Sequence, residues 1–149
     1  MAQSTVESQP TPIQEISKMN IDFTTIARGT NSGYQSASQT VIDNEEGWIN
    51  LWQQHTSDTE PSPPVPKVDF TSYKVVAVFA GEKSTGGYSV EILTVETRNF
   101  QTKDLPSLVI VVEYNQPKPG DFVTEAMTYP YHMIKIPKIE VKKVVFEQA

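Results

Sequence analysis

Between Tyr73 and Thr97 the chain reads YKVVAVFAGEKSTGGYSVEILTVET, two apolar runs on either side of a glycine-rich turn. Lys74–Ala80 is rich in Val and Phe, the composition of a well-buried strand. In Thr85-Gly86-Gly87, two residues without a Cβ can take positive φ at no steric cost. Beyond them Tyr88, Val90 and Ile92 alternate with Ser89 and Glu91, the period of a strand with one wet face. Leu93 and Val95 fall on the Glu91 side, so that face dries out towards the strand's far end. The two runs predict a β-hairpin closed by the connection Gly81–Gly87, around which the rest of the chain is organised.

Upstream, residues 1–18 carry few apolar side chains and read as a disordered tail. They show neither the basic nor the apolar stretch of a signal peptide, and their Ser/Thr/Gln/Pro content suits a mature N-terminal tether. Met19–Arg28 alternates Ile21, Phe23 and Thr25 with Asp22 and Thr24 and predicts a first strand. Gly29–Ser38 is turn-rich, and Gln39–Ile42 predicts a short second strand. Asp43 is placed to cap a helix, with Glu46 three residues on completing a capping box. Trp48, Leu51, Trp52 and His55 then share one helix face, which predicts tryptophans plugging the helix onto a sheet. His55, in the last turn, suits a charge partner for the helix C-terminus.

The segment 61–66, PSPPVP, has four prolines in six residues and predicts an extended, rigid connector within the domain. Downstream, Ser107–Tyr114, Phe122–Met127, Tyr131–Ile136 and Val141–Phe146 each predict a strand. The last is displaced across Pro137, where a bulge or a sheet edge is expected. Seven or so strands and one helix predict a mostly β (α+β) fold. Its form is an antiparallel sheet, as a small sandwich or partly open barrel, with one packed helix. Residues 19–149 form a single domain in this reading.

Composition narrows the function. The net charge is −6, with eight acids against two bases through Pro66 and ten of each thereafter. That distribution has no basic stripe to follow a phosphate backbone, so nucleic acid is not an expected partner. The chain holds no cysteine, which removes thiolate chemistry, disulfides and Cys-ligated zinc. No apolar run reaches the ~20 residues of a membrane span. The two histidines, His55 and His132, stand far apart with no metal-ligand spacing, and no glycine-framed serine elbow is present. No catalytic, metal or cofactor site is expected.

Three aromatic turns remain as candidate binding elements. Ser84, Thr85, Gly86, Gly87 and Tyr88 form the first, with a recognition wedge on two rigid strands weighed against a plain turn. The short T-G-Y-containing loop of chagasin-like cysteine-protease inhibitors is similar to it in composition. Asn31-Ser32-Gly33-Tyr34 repeats the polar-polar-Gly-Tyr form, and Thr128–His132 adds Tyr129, Tyr131 and His132. Convergence of all three would make a tyrosine-rich surface for protein or glycan contact.

The chain resembles the PrcB family, the C-terminal domain of bacterial protease-complex accessory subunits. The blocks that carry the likeness, in order, are SGYQS (32–36), GWINLW (47–52), VDF (68–70), VVAVFAGEKSTGGYSVEI (75–92) and MTYPYHMIKIPK (127–138). The resemblance implies an exported protein that associates with or stabilises a protease and has no catalysis of its own. The expected function is thus a non-catalytic protein-binding module, an accessory or stabilising subunit of an extracytoplasmic protease or larger assembly, with a protein as its partner. The alternatives are a small-molecule or carbohydrate-binding domain using the tyrosines, or a loop-insertion protease inhibitor.

Overall fold

The computed structural model describes residues 17–99 and 104–149. Along them run β1 (Ser17–Asn20), β2 (Thr24–Gly29), β3 (Ser38–Ile42), α1 (Glu45–His55) and β4 (Tyr73–Phe79). There follow β5 (Ser89–Asn99), β6 (Ser107–Asn115), β7 (Tyr131–Pro137) and β8 (Lys143–Gln148). The strands form two four-stranded sheets, ordered β1-β5-β6-β8 and β2-β7-β4-β3. Between them lies a core of Val76, Val78, Val90, Ile92, Ile110, Val112 and Ile134. On the outer face of the second sheet, Trp48, Leu51 and Trp52 of α1 pack against Val75, Ala77, Phe79 and Met133. The domain is therefore a sandwich with one helix laid on its side, and no barrel closes. The tail expected at residues 1–18 lies outside the described residues up to residue 16, while Ser17 and Lys18 belong to β1.

The expected hairpin does not form. β4 pairs with β3 on one edge and β7 on the other, Ala77 standing opposite both Thr40 and Met133. Its residues Val75 to Phe79 have no exposed surface, alternate side chains serving the two cores. With both edges taken, β4 has no bonding groups left for β5. The chain therefore leaves at Ala80, crosses to the other sheet and pairs β5 with β6 and β1. The positive φ angles of this crossover fall on Gly81 (83°) and Gly87 (91°) and not on Gly86. A Cβ on Gly81 would also meet the Ala37 amide nitrogen at 2.8 Å.

Other differences have equally local causes. In β5 a bulge places Leu93 as an extra residue, since Ile92 faces Val112 and Thr94 faces Val111. The bulge reverses the alternation, so Val95 turns into the core at 1% exposure while Leu93 stays out at 37%. The strand expected over Met19–Arg28 is split. Ile21 bonds Val95 of the first sheet at 2.8 Å, and only from Thr24 does the chain join β7 of the second. β8 runs parallel to β6, because the chain visits the second sheet through β7 and returns. It lies at a sheet edge, as the break at Pro137 predicts. Phe122–Met127 is not a strand. Both neighbours of β7 are already in place, so this segment cannot pair beside the strand that follows it.

Helix α1 starts one residue later than expected. Asn44, in extended conformation, accepts from the Gly47 amide at 2.8 Å. Asp43 instead accepts from the Asn44 side chain, and Glu46 falls outside the capping box. The buried face is as predicted, with Trp48, Leu51, Trp52 and His55 all inside. Both indoles also donate outward to the proline connector, Trp48 Nε1 to the Pro66 carbonyl at 2.8 Å and Trp52 Nε1 to Pro63 at 3.0 Å. The rings thus clamp the connector as well as fill the core. Trp48→Ala should lower stability by ~3–5 kcal/mol, whereas Leu93→Ala on the bulge should stay within about 0.5 kcal/mol of wild type. Urea unfolding of the two variants checks this.

Candidate functional site

At one end of the sandwich the crossover, the loop after β2 and the segment before β7 are tied together through backbone bonds. Lys83 and Thr128 exchange amide-carbonyl bonds at 2.8 and 2.9 Å, and Gly86 donates to the Thr124 carbonyl at 2.9 Å. The Thr128 hydroxyl donates to the Thr85 carbonyl at 2.7 Å. On the other flank, Glu82 donates to the Gln35 carbonyl, while Tyr129 donates to Thr30 and accepts from Ser32. Gly87 sits where a Cβ would meet Pro117 and Val123 at 2.9 Å, and Gly86 lies against the Thr124 side chain. The three predicted turns therefore do converge in backbone, but the crossover is pinned on both flanks.

Their side chains go different ways. Ser84 and Gly87 are exposed, and Thr85, Gly86 and Tyr88 are half-buried. The Lys83 ammonium lies 5.4 Å from the centre of the Tyr88 ring. Tyr34 stacks on Phe79 with ring centres 3.9 Å apart, as part of the helix-side core. Tyr129 is half-buried, its hydroxyl 3.9 Å from Met127 Sδ. Tyr131 and His132, expected on a tyrosine-bearing surface, are buried on opposite faces of β7 at 8% and 3% exposure. Pairing of β7 on both edges, with α1 over one face and the other sheet over the second, removes both from solvent. Tyr34 and Tyr131 thus belong to the helix-side core and not to a binding surface.

What sequence reasoning missed is the chemistry of the two buried histidines. His132 Nδ1 accepts from the Ile92 amide at 2.9 Å, which fixes the proton of the neutral ring on Nε2, facing Thr25 Oγ1 at 2.8 Å. The ring thus ties β5 of one sheet to β2 and β7 of the other. His55 is not the solvated charge partner its helix position suggested: it is 5% exposed and lies edge-on to Tyr131, with ring centres 4.3 Å apart. Its Nδ1 stands 2.8 Å from Ser32 Oγ, which accepts the Tyr34 amide at 3.1 Å. The distance is that of a nucleophile and its base. Both partners are more than nine-tenths buried, so the pair ties the β2–β3 loop to the helix end.

Burial lowers the pKa of each histidine from 6.5 to about 4, with the Arg28 charge adding to the effect at His132. Protonation of His132 would also set two N–H groups against each other at Nδ1.

Next to the crossover, residues 122–127 present apolar side chains to water. Phe122 is fully exposed, Met127 is 58% exposed and Val123 36%. Only Val123 turns partly back, under Gly87. Nothing in the alternating sequence marks this segment as uncovered, because the same pattern would serve a paired strand.

Residues 74–137, from β4 through the crossover to the end of β7, match the family described as PrcB C-terminal. Over this segment the chain is similar to the PrcB family. The match takes in STGGY and Tyr129–His132, and leaves out the SGYQS, GWINLW and VDF blocks. No curated protein and no solved structure matches the chain. Among the described residues, no helix is long and apolar enough to cross a membrane.

Two measurements check the site. The unfolded chain takes up protons at both histidines below pH 6.5 and the folded one only near pH 4. Stability should therefore fall as the pH drops through that window, by up to roughly 3 kcal/mol for each histidine. Urea midpoints between pH 7 and 5 detect this; a flat profile contradicts it. Gly87→Ala should cost about 1 kcal/mol or more through its positive φ, read from the same unfolding curves.

Proposed function

We propose that this protein is a non-catalytic protein-binding module, an accessory or stabilising subunit of an extracytoplasmic protease or a larger assembly. The observation that carries the reading is Phe122, a fully exposed aromatic ring between Asp121 and Val123 on a segment bonded to the crossover. A large ring left in water on a backbone that is already fixed can enter a partner's pocket with little further ordering. Met127 and Tyr129 lie further along the same segment and extend the contact. The family match supports a place in a protease complex. The crossover itself serves as the platform: its bonds to Thr124, Thr128 and Gln35 hold it in place, while its neighbour supplies the exposed apolar groups.

Affinity capture from the native source, with wild-type protein and Phe122→Ser as baits, tests this. The wild-type bait should retain a protease or protease-complex subunit. Phe122→Ser should weaken that capture by ~2 kcal/mol or more, the cost of a lost interfacial anchor, at an unchanged Tm. Equal capture by the folded variant contradicts the reading.

A further inference from the structure

The crossover leaves an opening at the mouth of the sandwich. Between it and the ends of β6 and β8 lies a cleft of about 240 Å³ whose floor is Ala80, where β4 ends. Its walls carry Lys83, Tyr88, Tyr114, Asn115, Gln116 and Gln148. One cation, two phenols, three carboxamides and the Ser89 hydroxyl line it, with no carboxylate side chain among them.

Several of these groups are held with bonding capacity to spare. Lys83 is positioned through its backbone pairing with Thr128, and among the described residues its ammonium makes no ion pair. The Tyr114 hydroxyl accepts from Gln39 Nε2 at 2.8 Å, which leaves its own proton to donate. Asn115 Nδ2 donates at 3.2 Å to both Ser89 Oγ and Glu113 Oε1, the latter a residue that does not line the cleft. Its oxygen, with the amides of Gln116 and Gln148, can meet peptide N–H and C=O groups. A single ammonium with neutral donors matches a singly charged carboxylate better than a doubly charged phosphate. The carboxamides match the peptide bond that stands beside a chain's terminal carboxylate.

We propose that this cleft binds the carboxylate of a peptide, the C-terminal carboxylate of a partner chain, with Lys83 as the charge partner. This deepens the protein-binding reading and rests on it. It adds a second contact at the same end of the domain, distinct from Phe122.

The test is a titration of the full ¹⁵N-labelled chain, followed by NMR, with three peptides. These are acetyl-Gly-Ala-Ala with a free C-terminus, its C-terminal amide, and acetyl-Gly-Asp-Ala amide. The free-carboxylate peptide should shift the side-chain amide signals of Asn115, Gln116 and Gln148, with a Kd of ~1 mM. The uncharged amide should bind at least ~10-fold more weakly, as should the free peptide to Lys83→Met, the loss expected with one charge-assisted bond. Lys83→Met retains the backbone pairing, so its spectrum away from the cleft should be unchanged. Tighter binding of the Asp peptide than of the free-carboxylate peptide overturns the C-terminal assignment. No shift, equal shifts with the uncharged amide, or full binding by Lys83→Met overturns the cleft site altogether. A null titration leaves Phe122-dependent capture standing; equal capture by wild type and Phe122→Ser, with the titration intact, overturns the docking reading and not the cleft.

Discussion

Strand β4 is paired on both edges and covered on both faces, and the arrangement of everything else follows from that. Val76 and Val78 point into the space between the sheets, Val75, Ala77 and Phe79 towards α1. A strand so enclosed must be apolar wherever it is covered, which is how Val75–Ala80 reads. It must also be followed by a segment that leaves its sheet, since no hydrogen-bonding edge remains beside it. The glycines at 81 and 87 permit the turns at either end of that departure. The crossover then lies at the end of the sandwich and gathers the loops around it.

Polar contacts tie sheet to sheet, loop to helix and strand to strand around the two cores. His132 reaches from the second sheet to the Ile92 amide of the first, next to the bulge at Leu93. His55 and Ser32 tie the helix end to the loop after β2. On the far side, Arg98 bonds both Glu96 of its own strand and Glu147 of β8, and Lys18 of β1 reaches Glu96. The half-buried position of Arg98 and the burial of Glu96 make this a network across the sheet, with Glu96 held below the usual carboxylate range chiefly by its bond from Arg98.

Legibility from sequence followed the range of the interaction. Helix α1, with its inward tryptophans, and strands β3, β4, β6 and β7 were readable because periodicity and β-branched content are local. The partner of a strand is not local. Nothing in residues 74–92 says that β3 and β7 will take both edges of β4, so a glycine turn between two strands reads as a hairpin. The bulge at Leu93 was hidden for a related reason, since alternation assumes one residue per register step. Tyr131 and His132 were misplaced because the helix over one face of β7 and the sheet over the other come from distant parts of the chain. The exposed face of 122–127 was hidden by the same long-range cause. Of the candidate site, the three turns are legible one by one; whether they meet, and where their side chains go, depends on distant parts of the chain.

STGGY is a crossover between two sheets, and backbone contacts decide it. Nuclear Overhauser contacts between backbone protons should place Ala77 beside Met133 and Thr40, and Ile92 beside Val112, with none between the backbones of β4 and β5. A ladder of such contacts joining Phe79 to Ser89 and Val78 to Val90 would mean that the hairpin forms, and would contradict this account.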